Sequence, residues 1–164
     1  MKFRVFLAVS GFASILAATA SQAQEAPKVN WSSNCTAPDL ASPMSCAMEQ
    51  RVVLRESGQQ VARFSVQTSG AKDARKGAFL IQLPLGLSIR TGVRLKVDER
   101  EPVAVDIQTC EASGCYAGGP LDGEILDSLR SGKIMTLLFT NLQKKEIGIQ
   151  IDLAGFSALY DKIK

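Results

Sequence analysis

The stretch Val93-Arg94-Leu95-Lys96-Val97, followed after a break at Glu101-Pro102 by Val103-Ala104-Val105-Asp106-Ile107, decides the fold class. Apolar and polar residues alternate with period two. Successive side chains of a strand point to opposite faces, so this pattern describes strands with one face in a core and the other in water. The same alternation recurs on both sides. Upstream, Ala62, Phe64 and Val66 alternate with Arg63, Ser65 and Gln67, and Phe79, Ile81 and Leu83 share one face. Downstream, Ile147, Ile149, Ile151 and Leu153 alternate with Gly148, Gln150 and Asp152. Met48 to Arg55 is a further strand, and Ile134 to Phe139 reads as a more fully buried one.

Turn signals separate these runs: Ser57-Gly58, Ser69-Gly70, Thr91-Gly92, Glu101-Pro102 and Gly118-Gly119-Pro120. Short strands at such spacing predict an all-β antiparallel sandwich. Two segments depart from period two. Leu121, Ile125, Leu126 and Leu129 recur at helical spacing, with Asp122 near the start and Gly132 past the end, where caps belong. Phe156 to Ile163 reads as a second short helix. An outer-membrane barrel is the architectural rival. Its strands need about 9–11 residues with an apolar side toward lipid. Here the strands read shorter, and the face opposite the core carries Arg51, Arg55, Arg63, Arg94 and Lys96.

The start of the chain predicts export. Lys2 and Arg4 precede an apolar run from Val5 to about Ala18, and Ser21-Gln22-Ala23 supplies small residues for cleavage after Ala23. Residues 1–23 are therefore expected to be a signal peptide, 24–34 a flexible leader and 35–164 a single domain. The apolar run falls short of the roughly 20 residues that span a bilayer, so no transmembrane segment is expected in the mature chain. Lys2 and Arg4 would leave with the signal, and the remaining 17 basic and 16 acidic residues give a net charge of +1. Nucleic acid is not an expected partner, because neutralising phosphates takes many clustered cations.

Four cysteines in an oxidising compartment imply disulfides, and four allow three pairings. Cys35–Cys46 and Cys110–Cys115 are favoured because each pair is local in sequence. A zinc site is the rival, but it normally uses closely spaced CxxC-like knuckles. The chain has no histidine, which removes Ser-His-Asp and Cys-His chemistry. Paired carboxylates could still hydrolyse glycosides, and Asp98-Glu99-Glu101 and Asp122-Glu124-Asp127 are the candidates. Both fall at turns or a helix start, where solvated acids are ordinary. No cofactor and no metal is expected.

The outward cations Arg63, Arg94 and Lys96 are candidate partner contacts, forming a cationic patch if their strands pair suitably. The plainer reading is a solvated face balanced by Glu49, Glu56 and Asp106. Trp31, just ahead of Cys35, is either an exposed anchor or a core cover beside a disulfide.

Several ordered pieces carry a family resemblance. Trp31 precedes Cys35 by four residues, and Cys46 follows. Leu83-Pro84-Leu85-Gly86 leads into Gly92-Val93 and Val97-Asp98. Cys110 leads to Gly114-Cys115, then Leu121 and Gly132, and Leu153-Ala154-Gly155-Phe156 lies near the end. In this order and spacing the chain resembles the invasion-associated locus B family of exported bacterial proteins. The resemblance implies an immunoglobulin-like β-sandwich and a Gram-negative envelope location, periplasmic or secreted and including association with the outer membrane. It supplies no catalytic residues. The expected function is non-enzymatic binding of an envelope or host-surface partner, either a protein or an anionic glycan such as lipopolysaccharide. The alternatives are a periplasmic chaperone or inhibitor that captures an extended strand, and a carboxylate-dependent hydrolase.

Overall fold

The computed structural model describes residues 30–37, 39, 41–70 and 76–164. The signal peptide and most of the leader lie outside the described residues. In chain order the elements are β1 (Ser32–Thr36), β2 (Ser45–Val53), β3 (Gln60–Ser69), β4 (Lys76–Leu83), β5 (Val93–Val97), β6 (Val103–Val105), β7 (Ile107–Glu111), β8 (Gly114–Pro120), α1 (Gly123–Ser131), β9 (Ile134–Thr140), β10 (Glu146–Asp152) and α2 (Phe156–Ile163). The strands form two antiparallel sheets: six strands in the order β1-β2-β3-β4-β8-β7, and four in the order β10-β9-β5-β6. This is the all-β sandwich that the alternation predicts. Neither sheet closes on itself, so the barrel alternative is set aside.

The alternation places the core. Met48, Phe64, Val66 and Ile81 of the larger sheet and Val93, Met135, Leu137 and Ile151 of the smaller one are almost wholly buried. They form one cluster between the layers. Each large apolar side chain so buried contributes roughly 1.5–3 kcal/mol of transfer free energy. The two helices close the sandwich around Leu129, Phe156 and Ile163. α1 begins after Asp122 and ends at Gly132, as the capping residues predict, although the Asp122 side chain makes no cap hydrogen bond. Thr68 on β3 donates from its buried hydroxyl to the Ile163 carbonyl, 2.6 Å away, tying α2 to the larger sheet.

Three expectations are corrected. First, the run Val103–Ile107 is not one strand. Val103 and Val105 pair with Leu95 and Val93 in the smaller sheet, whereas Ile107 pairs with Ala117 in the larger. The chain changes layers at the exposed Asp106. Period-two alternation is the same on either side of such a crossing, so the pattern cannot reveal it.

Second, Gly118-Gly119-Pro120 is not a turn. It forms the end of β8, paired with Leu80, Phe79 and Ala78 of β4. A Cβ added to Gly118 would lie well inside contact distance of the Phe79 carbonyl oxygen. The glycine permits close approach of two backbones, which is a strand role as well as a turn role. Third, strand structure reaches into the expected leader, ahead of Cys35. Trp31 is buried and β1 starts at Ser32, because the indole has a place in the core.

The glycine pair gives a direct test. Gly118→Ala should destabilise the protein by about 1–3 kcal/mol through overpacking. Gly119→Ala meets only the edge of the Phe79 ring at ordinary contact distance and should change stability by less than about 0.5 kcal/mol. Urea denaturation midpoints of the two variants check this.

Candidate functional site

The disulfides define the rims of the larger sheet. Cys35–Cys46 joins directly opposed residues of β1 and β2, and Cys110–Cys115 joins directly opposed residues of β7 and β8. β1 and β7 are the two edge strands of that sheet. Each bond therefore fastens an edge strand to its single neighbour. With all four sulfurs oxidised, none is a thiolate nucleophile or a zinc ligand.

The structure separates the cations that the sequence grouped. Arg63 lies on the outer face of the larger sheet, 3.6 Å from Glu49, which also accepts from Arg51 at 2.8 Å. Arg94 and Lys96 lie on β5 in the smaller sheet, where Arg94 pairs with Glu146 and Lys96 with Glu99 at 3.4 Å. The two groups occupy outer faces of different layers, so Arg63, Arg94 and Lys96 do not form one patch. Each also has a glutamate partner. A one-dimensional pattern assigns residues to inside or outside; it does not say which layer's outside.

Trp31 is 7 % exposed and is not an exposed anchor. Its Nε1–H donates to the Asp152 carbonyl at 3.1 Å, and its ring meets Phe64 and Phe156 edge-on with centroids 6.2 and 5.3 Å apart.

Of the acidic candidates, Asp98 serves the scaffold. Asp98, at φ +49°, accepts from the backbone N–H groups of Ile134 (2.9 Å) and Lys133 (3.0 Å). The Ile134 bond, then the Lys133 bond, holds its carboxyl below the ordinary range. Glu99 faces Lys96, and Asp122 and Glu124 occupy the start of α1. Among the described residues no three acidic or thiol side chains converge as a metal site.

A surface that the sequence reading missed lies at one end of the sandwich. The β4–β5 connection and the β9–β10 turn are joined there by Ser88 N–H to Thr140 O (2.7 Å) and Leu142 N–H to Gly86 O (3.1 Å). Leu85, Ile89 and Leu142 are 57 %, 61 % and 70 % exposed. Ile89 and Leu142 line an open, largely apolar depression of about 660 Å³, with Arg90 and Lys144 at its margin. The signal was available: Leu85 sits between Pro84 and Gly86, and Leu142 follows Asn141 in a tight turn. An apolar side chain at such a point has little core to enter.

Fold, staples and surface together define an oxidised β-sandwich that offers exposed loop-borne side chains. Residues 31–164 match the family model described as Invasion associated locus B (IalB) protein, and the chain belongs to that family. Two invasion protein B homologues of Brucella abortus, from strain 2308 and from biovar 1 strain 9-941, are each 27 % identical to it over 165 residues. Each match covers 99 % of this chain and 91 % of the relative. The crystal structure of invasion associated protein B from Bartonella henselae superposes with a TM-score of 0.68 at 24 % identity, over 82 % of this chain and 91 % of that one, and shows the same fold. Disulfides and family together indicate an exported protein. No described helix is long and apolar enough to cross a membrane.

The pairing of the two helices predicts acid sensitivity. Asp161 on α2 accepts two hydrogen bonds from Arg130 on α1, at 2.9 and 3.1 Å. Those bonds, followed by that from Lys164, lower its pKa to about 2. The folded value lies below the unfolded value of about 3.9, so this stabilisation is complete above the unfolded pKa and is lost as pH falls through the folded one. Asp161→Asn should lower the urea midpoint at pH 6, with the gap to wild type closing as pH falls from 4 to 2.

Proposed function

We propose that this chain is a periplasmic or secreted, non-enzymatic binding protein whose exposed apolar end recognises a component of the bacterial envelope or a host surface. The carrying observation is the trio Leu85, Ile89 and Leu142, held in water by loops that are hydrogen-bonded to each other. Exposed apolar groups rimmed by polar ones are a common mark of interaction surfaces. Loops fixed in advance lose less entropy on binding. Arg90 and Lys144 at the margin suit a partner that is both apolar and anionic, a description that fits lipopolysaccharide as well as an acidic protein surface. The relatives' names, as invasion proteins, point to the same setting.

The carboxylate-hydrolase reading has less support. Asp98, its central acid, is committed to two backbone N–H groups, and Glu99 faces Lys96.

A photo-crosslinking residue at position 142, expressed in the producing cell, should trap a discrete partner. In the Ile89→Asp/Leu142→Asp protein, affinity for that partner should fall at least tenfold, because burying either side chain contributes about 1.5–3 kcal/mol. The melting temperature should hold, since both side chains are exposed. Adducts that form only through positions distant from this end, or affinity unchanged in the double variant, would contradict the assignment.

A further inference from the structure

A second groove lies on the opposite flank from the disulfide at β7–β8, where the free edges of the two sheets approach each other. Its volume is about 860 Å³, and Gln50, Arg51, Val53 and Arg55 line it from the larger sheet and Gln150 and Asp152 from the smaller. β1 covers β2 only as far as the pair Ser32–Glu49. On the other side β2 stays paired with β3 as far as Val53. From Gln50 to Val53, β2 therefore has an edge with no partner strand among the described residues.

The facing strand is also open. β10 pairs with β9 alone. Ile134 spends its N–H on the Asp98 carboxylate and its carbonyl on the Asp98 N–H. Asp152, opposite Ile134, thus belongs to a non-hydrogen-bonded pair, and its backbone groups point away from β9. Trp31 takes the Asp152 carbonyl. By the same alternation the N–H and C=O of Gln150 also point outward.

Gln50 supplies the independent sign of a ligand. It is among the residues that line the groove and is 6 % exposed, and its side-chain Oε1 is buried without a hydrogen-bond partner. Buried polar atoms in native proteins nearly always have a partner, so this acceptor wants an N–H. Arg55 at the mouth has no ion-pair partner among the described residues, whereas Arg51 shares Glu49 with Arg63.

We propose that this groove is a strand-capture site, which takes an extended segment of a partner protein bearing an acidic side chain. The segment adds along the free edge of β2, gives one N–H to Gln50 Oε1 as that side chain turns outward, and sets its carboxylate toward Arg55. Rows of alternating backbone donors and acceptors match another polypeptide backbone, as in recognition by β-augmentation. Two other occupants fit less well. A second copy of this chain joined edge to edge would oppose Arg51 and Arg55 to themselves. The chain's own preceding residues carry one acid, Glu25, but closer in sequence to the groove they have Pro27, which lacks an N–H, and Lys28, which matches the arginines in sign.

The test uses the exported protein purified from its producing cells and two fluorescent nine-residue peptides. One alternates valine with glutamate and the other valine with lysine. Anisotropy should show the glutamate peptide binding at least tenfold more tightly. Arg55→Glu should abolish or reverse that preference. Gln50→Leu should weaken binding severalfold without lowering the melting temperature, because it removes an unpaired acceptor. Amide exchange at those N–H groups between Gln50 and Val53 that face the open edge and not β3 should be fast in the protein alone and slow with the glutamate peptide. The proposal is overturned if neither peptide binds, or if both bind equally and Arg55→Glu changes nothing. It is also overturned if those amides are already protected without peptide, which would mean that the leader or a second copy fills the edge.

Discussion

The indole of Trp31 joins three parts of the molecule that share no ladder of backbone hydrogen bonds. Its ring packs against Phe64 of the larger sheet and Phe156 of α2, and its N–H holds the carbonyl of Asp152 at the end of β10. A sandwich is held across its layers by side chains alone, because its hydrogen bonds run within each sheet. Near the β1 edge that task falls to one large aromatic with a polar handle, a residue type suited to sit between core and backbone. Fixing Trp31 fixes the start of β1 directly after it. Cys35–Cys46 then fastens the far end of the same short strand. β1 itself is exposed throughout, so it owes its place to the tryptophan at one end and the disulfide at the other.

The same arrangement accounts for the open groove. Trp31 turns into the core at the point where β1 would otherwise continue along β2, and the pairing stops at Ser32. The edge beyond is left with Gln50 and the arginines beside it. At the opposite rim no such turn occurs: Cys110–Cys115 closes a hairpin in which β7 covers β8. The two edges of the larger sheet thus differ in kind. One is finished by a hairpin and the other by a side chain that leaves part of the strand uncovered.

Much of this was legible in the sequence, for a physical reason. Alternation is a local property of side-chain direction, so β3, β5 and β10 and their buried faces could be read directly. The helix from Gly123 to Ser131 followed from 3.6-residue spacing and its flanking Asp122 and Gly132, and both disulfides followed from sequence proximity. What the sequence withheld depends on neighbours distant along the chain. The change of sheet at Asp106 leaves the pattern unbroken. The strand role of Gly118 depends on the Phe79 carbonyl. The separation of Arg63 from Arg94 and Lys96 depends on which strands pair. The unpartnered Gln50 Oε1 is a fact about its surroundings in the fold, and its sequence neighbours give no hint of it.

Functionally, the family places the chain among invasion-associated proteins, and the structure adds two surfaces of different character: an apolar end built on loops, and a polar groove built on strand edges. The groove borders the frame that Trp31 closes. Native-state amide hydrogen exchange of Trp31→Ala, compared with wild type, tests that frame most directly. If the indole links the layers, protection should fall together in β1, in β10 from Glu146 to Asp152 and in α2 from Phe156 to Ile163, while β4 and β8 keep theirs. Loss confined to β1, with β10 and α2 as protected as in wild type, would contradict the account.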